Sequence, residues 1–159
     1  MDPTTLLHEY AAYDHWATAR FVERLEREPG DTLDRPATSS FPSLRGTLLH
    51  IRDAQAAWLA RLHGQPVRWP AEELTTLASV MAHAARFRDH VTALPMEDLL
   101  RVCAYKDLKG TSYSQPAWQM IMHCINHSSY HRGQVVTQMR ELGLEDIPRT
   151  DLVHFQRTR

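Results

Sequence analysis

Cysteine is scarce in this chain. Cys103 and Cys124 are its only two, far apart and in no CxxC pair. That pattern does not support a disulfide framework and fits a reducing compartment. Charge of one sign is also missing. Eighteen Lys and Arg face 19 Asp and Glu, for a formal charge of -1 and a pI near 6.8, with no block of like charge. A nucleic-acid partner would need a basic surface or stripe, so none is expected. No apolar run approaches the roughly 18 residues of a membrane span. The start, Met1 to Leu6, lacks the basic region and apolar core of a secretory signal. Together these absences read as a cytoplasmic protein with no membrane partner. Internal repeats and low-complexity segments are absent as well.

What is present is an ordinary globular composition, 43% hydrophobic and 23% charged over 159 residues, which suits one domain over 1–159. The periodicity predicts four long helices. The first opens at Asp2-Pro3, a capping aspartate followed by proline at the first helical position. Leu6, Tyr10, Tyr13, Ala17, Phe21 and Leu25 then recur at helical spacing, until Pro29-Gly30-Asp31 stops it. The second starts at Ser43, carries Leu44, Leu48, Ile51, Gln55, Trp58 and Leu62 on its stripe, and ends at His63-Gly64. The third is expected over 73–93. The fourth runs from Pro116 to Leu142, about 40 Å at 1.5 Å per residue, with Gly143 as its stop. Between the last two, residues 98–115 break the pattern. Alternation about Val102 and Ala104, a turn at Lys109-Gly110 and a return through Thr111 to Tyr113 predict a small β-hairpin. A helical turn is expected at 151–155. The fold class is all-α, a four-helix bundle.

The chain has ten histidines, and their positions on these helices matter more than their number. His127 and His131 are four residues apart, one turn apart on one helical face. The wheel places them with Met120, His123, Cys124, Gln134, Val135, Gln138 and Leu142 on the side a bundle would bury. A buried imidazole must satisfy both ring nitrogens, and a divalent metal satisfies one of them. His123 and His131 lie two turns apart, about 12 Å, too far to share an ion whose bonds to nitrogen are about 2.0–2.1 Å. The adjacent pair therefore needs a third ligand from another helix, and His50 on the second helix, at the edge of its apolar face, is the best candidate. Three neutral imidazoles leave a coordination position open, as in a catalytic rather than a structural site. His8 and His15 read as solvated, His63 as a helix-end residue, His83 and His90 as half-exposed, and His154 as part of the tail. An HxxxH alone, without the glutamate of HExxH, is more often a hydrogen-bonded pair. The surrounding sequence changes that balance.

The stretch Asn126-His127-Ser128-Ser129-Tyr130-His131-Arg132-Gly133-Gln134, continuing to Arg140-Glu141-Leu142-Gly143, resembles the NHxxYHRGQ…LRxLG signature of the DinB/YfiT-like family. Thr47-Leu48-Leu49-His50-Ile51, with Trp58-Leu59-Ala60-Arg61-Leu62 after it, resembles that family's second-helix segment. Tyr10 with Asp14-His15-Trp16-Ala17 is similar to its first helix. The resemblance implies a four-helix bundle of DinB/YfiT-like type, with His50, His127 and His131 as metal ligands and a divalent ion, zinc or nickel, as cofactor. It further implies homodimers and, for some members, thiol-dependent transferase or isomerase activity.

The resulting expectation is a divalent-metal-dependent enzyme doing thiol-dependent transfer or hydrolase-type chemistry on a small molecule, with a low-molecular-weight thiol as a further cofactor. Hydrolysis would want a general base, for which Asp53 is the nearest candidate. Thiol transfer needs less from the protein, and Cys124 reads as a core residue, so the thiol would come from outside the chain. The alternative is a non-catalytic metal-binding or stress-response, damage-inducible-like interaction protein. Gln134 is expected to hydrogen-bond behind the ligands. Gly133 is expected to allow a close approach, Tyr130 and Asn126 to pack or hydrogen-bond between helices, and Arg132 to stay solvated.

Overall fold

Local chemistry sets where the helices begin and end. In the computed structural model, which describes residues 2–158, the Asp2 side chain accepts from the Thr4 amide and opens α1, Pro3–Leu25. Residues 1 and 159 of the expected domain lie outside the described range. Ser43 accepts from the Gly46 amide and opens α2, Leu44–Leu62. Gly64 follows α2, and Gly143 follows the helix over Ala117–Glu141, with φ of 65° and 73°, the left-handed region where only glycine is unstrained. The remaining elements are a 3-10 turn over Gly30–Asp34, α3 over Leu77–Ala93, α4 over Met96–Leu100, β1 over Val102–Lys106, β2 over Ser112–Pro116, α5 over Ala117–Glu141 and α6 over Leu152–Thr158.

The helical character and the hairpin agree with the sequence reading. α3 starts four residues later than expected, because Thr76 is the residue whose side chain caps it, at the Ser79 amide. The short α4 has no counterpart in the sequence reading; it begins two residues before the irregular region at 98–115 and runs into it as far as Leu100. The hairpin pairs antiparallel, with Tyr105 opposite Tyr113 and Ala104 opposite Ser114. Its inner residue is Cys103, whereas Val102 is 62% exposed.

α1 packs on α3 and α5, and α2 packs on α5 and α3. One apolar cluster gathers Phe87, Val91, Met120, Ile121 and Ile125, and another gathers Phe21, Leu44, Leu48, Ile51, Val80, Val135 and Met139. Full burial of each such side chain contributes roughly 1.5–3 kcal/mol. Leu6, expected in this core, is 54% exposed, because it lies on the first turns of α1, at the rim of an open apolar groove. Among the described residues, no helix is long and apolar enough to cross a membrane.

The pairing of α2 with α5 positions the histidines. Gln138, fully buried on α5, accepts from the Thr47 hydroxyl of α2 at 2.8 Å and donates to the Phe41 carbonyl at 2.8 Å. These bonds fix the two helices in register one and two turns from the histidines, and hold the residue 41 segment over them.

Candidate metal centre

His50 of α2 and His127 and His131 of α5 converge. Their ligating atoms all lie within 4.8 Å of one another, and this is the one group of three or more His, Cys, Asp or Glu so placed among the described residues. His127 Nε2 is 3.1 Å from both His50 Nε2 and His131 Nε2. A ring nitrogen carries either a proton or a lone pair, so it cannot donate to one of these neighbours while accepting from the other. The spacing suits a shared ion. Bonds of about 2.0–2.1 Å in tetrahedral geometry put ligand nitrogens about 3.3 Å apart.

Protonation favours the same reading. Burial, with the neighbouring His131 next, pushes both His50 and His127 down to about 4. Both are therefore neutral near pH 7, with lone pairs free for a cation. His131 Nδ1 lies 2.8 Å from Gln134 Oε1, and Gln134 donates in turn to Ser40 Oγ at 2.7 Å. A proton on Nδ1 satisfies that bond and leaves the Nε2 lone pair for the centre, the arrangement that orients metal-binding imidazoles. His127 Nδ1 is buried with no partner, so Nε2 is the nitrogen through which this ring finds one. The donor set and its spacing fit a divalent ion.

Aromatic rings frame the opening. Phe41 stacks on His50 with centroids 4.3 Å apart, Trp69 meets His50 edge-on at 5.6 Å, and Tyr130 meets His131 edge-on at 5.0 Å. Trp69 arrives on the connection between α2 and α3, which has no regular structure but is pinned from below. The fully buried Arg52 donates to the carbonyls of Leu74 and Glu72 and to Ser79 Oγ, and pairs with Asp53. Asp53 Oδ1 also accepts from the Ala71 amide at 3.0 Å. Asp53, the sequence candidate for a general base, is thus buried and committed to the loop. Among the described residues, the hydrogen-bond partners of the three imidazoles are one another and Gln134.

Several expectations are corrected by position. Arg132, expected to be solvated, is 2% exposed and pairs at 2.5 Å with the buried Asp14 of α1. Burial pushes the Asp14 carboxyl up, while Arg132 and a 2.8 Å hydrogen bond from Gln55 hold it the other way. The signal was in the sequence: Asp14 sits on the stripe between Tyr10 and Ala17, and a carboxylate there requires a buried cation. His8 and His15 are half-buried rather than solvated, bonded to the Leu94 carbonyl and to Arg88, because α1 turns that side toward α3. His83 is buried and faces Glu72 at 3.3 Å. His123 is exposed by residue yet rests on Trp58, 4.8 Å between centroids, outside the ligand group. Nothing approaches Gly133 within 4 Å of where a side chain would begin. Tyr130 is 63% exposed and Asn126 is exposed, so neither packs between helices. Cys124 is buried, and burial pushes its thiol well up, as its reading as a core residue requires.

Against known proteins, the family model described as DinB family matches residues 1–158. "Protein DinB" of Bacillus subtilis (strain 168) is similar at 22% identity over 157 residues, covering 86% of each chain.

Proposed function

The chain belongs to the DinB family, and on that premise we propose that it is a divalent-metal-dependent enzyme transferring a small-molecule thiol at His50, His127 and His131. The observation that carries this reading is the convergence of the three Nε2 atoms, two of their separations being 3.1 Å. Zinc and nickel both suit an all-nitrogen site. A bound divalent ion there lowers the pKa of a thiol or water that reaches it.

The chain's own residues make the rest of the case. Gln134 and Ser40 hold the His131 tautomer. Phe41, Trp69 and Tyr130 set aromatic rings beside the three imidazoles, which suits the apolar part of a small molecule. Asp53 is 6% exposed, and its Oδ1 is held by Arg52 and the Ala71 amide. That supports thiol transfer over hydrolysis, because a thiol, with an ordinary pKa of about 8.5, gives its proton to bulk solvent far more readily than water does. The same lack of a base also suits a non-catalytic metal-binding stress protein, and turnover decides between the two. We further read the four long helices as a four-helix bundle of DinB/YfiT-like type, a single domain over 1–159. The reading places the protein in the cytoplasm as a homodimer acting on a small molecule. Exposed Leu6, Leu100 and Met122 beside an apolar groove support the dimer.

The test is a panel of low-molecular-weight thiols with electrophilic acceptors, run on zinc- and nickel-loaded protein. Turnover that disappears in His127→Ala is expected. Fully loaded protein that turns over neither thiol nor hydrolase substrates would favour the non-catalytic reading.

A further inference from the structure

Among the described residues three arginines are almost fully buried, and two of them have carboxylates. Arg52 pairs with Asp53 and Arg132 with Asp14. The third, Arg61, is 8% exposed and has no ion-pair or hydrogen-bond partner among the described residues, its Nε–H being buried without an acceptor. Its contacts are aromatic: the guanidinium carbon lies 4.6 Å from the Trp58 ring centroid and 5.5 Å from that of Tyr105. Rings satisfy the faces of a guanidinium, whereas its five N–H donors lie in the plane and point to its edges. The Tyr105 hydroxyl donates to Gln115 Oε1 at 2.5 Å and takes no hydrogen bond from Arg61.

Arg61 lines a cavity of about 440 Å³ between the end of α2 and the hairpin, together with Gln65, Tyr105, Lys106 and Asp107. That volume is in the range of small-molecule sites. Lys106 is exposed and makes no ion pair among the described residues. Asp107 is the lone carboxylate of the lining, and its Oδ1 accepts the amides of Lys109 and Thr111 at 2.8 and 2.9 Å. Two cations therefore face one carboxylate, which attracts Arg61 through space while its Oδ1 is engaged in its own turn.

We propose that this cavity binds the oxyanion of a small molecule, a carboxylate or a phosphate, with Arg61 supplying in-plane donors and Lys106 the charge at the rim. A planar guanidinium held against aromatic rings is oriented for such an oxyanion before it arrives. The site is separate from the metal centre. Arg61 follows His50 by eleven residues on one helix, about 16 Å along its axis, and the proposal does not depend on a metal being bound.

The experiment titrates metal-loaded full-length protein with inorganic phosphate and with acetate, against chloride at constant ionic strength. The reporter is the indole ¹H–¹⁵N signal of Trp58, the ring under the guanidinium. A saturable shift is expected, and the anion that saturates first identifies the class. Arg61→Met weakens that binding at least tenfold and Lys106→Glu at least threefold. Shifts that track ionic strength without saturating, or saturable binding that Lys106→Glu leaves intact, would overturn the proposal. Should Arg61→Met fail to fold, the exposed Lys106→Glu decides alone.

Discussion

At the scale of single residues, the centre depends on groups that fix imidazoles as well as on the imidazoles themselves. Gln134 touches no open position, yet it holds His131 through Nδ1 and is itself held by Ser40. Loss of such a partner weakens metal affinity by about 10–100-fold. Gln134→Ala should therefore raise the dissociation constant for zinc by that factor in a competitive chelator titration, with the stoichiometry at saturating zinc unchanged. Unaltered affinity would remove Gln134 from the site. The same imidazoles set a pH dependence. His50 and His127 titrate at about 4 in the folded chain, against about 6.5 for an unfolded histidine. The unfolded chain therefore binds more protons between these values, and stability rises with pH there. The contribution is full above about 6.5 and is lost as pH falls toward 4. Thermal melts of metal-free protein should show less stability at pH 5 than at pH 7.5, with a smaller difference in His127→Gln. An equal difference in the variant would place the titration elsewhere.

At the scale of elements, most boundaries were legible because they are local. Asp2, Ser43, Gly64 and Gly143 act within a turn of themselves, so the chain states them directly. Ser43→Ala should cost about 0.5–2 kcal/mol in urea denaturation, while metal content at saturation stays the same because His50 lies two turns further in. A cost near zero would mean the Ser43 bond to Gly46 contributes nothing to α2. The His50, His127 and His131 set was equally legible, since helical spacing places two of them and an apolar edge suggests the third. What escaped the sequence depends on who packs against whom. α5 buries one side against α2 and another against α1, so a single-face wheel left Arg132 outside. α1 packs His8 and His15 toward α3, which no periodicity within α1 reveals. Leu6 has the right spacing for the core but sits where α1 opens onto a groove. Asp53 looked like a free base only because its partners, Arg52 beside it and the Ala71 amide across a loop, are fixed by tertiary structure.

At the scale of the whole molecule, one buried polar layer ties three helices together. Arg132 of α5 meets Asp14 of α1, and Asp14 accepts from Gln55 of α2. Removing one partner of a buried ion pair costs about 3–5 kcal/mol because the other charge is left alone. Asp14→Ala should show that loss in urea denaturation, and the double variant Asp14→Leu with Arg132→Met should recover much of it. A single variant within about 1 kcal/mol of the parent would contradict the pair's structural role. This layer and the Gln138 bridge hold α5 in the register that brings His127 and His131 to His50, so the fold serves the centre. Whether the three histidines hold an ion is read from the metal content of tag-free protein after reconstitution, by elemental mass spectrometry, beside His127→Ala. One divalent ion per chain is expected in the parent, and its loss in the variant. A parent chain that holds no stoichiometric ion, or a variant that holds as much as the parent, would contradict it.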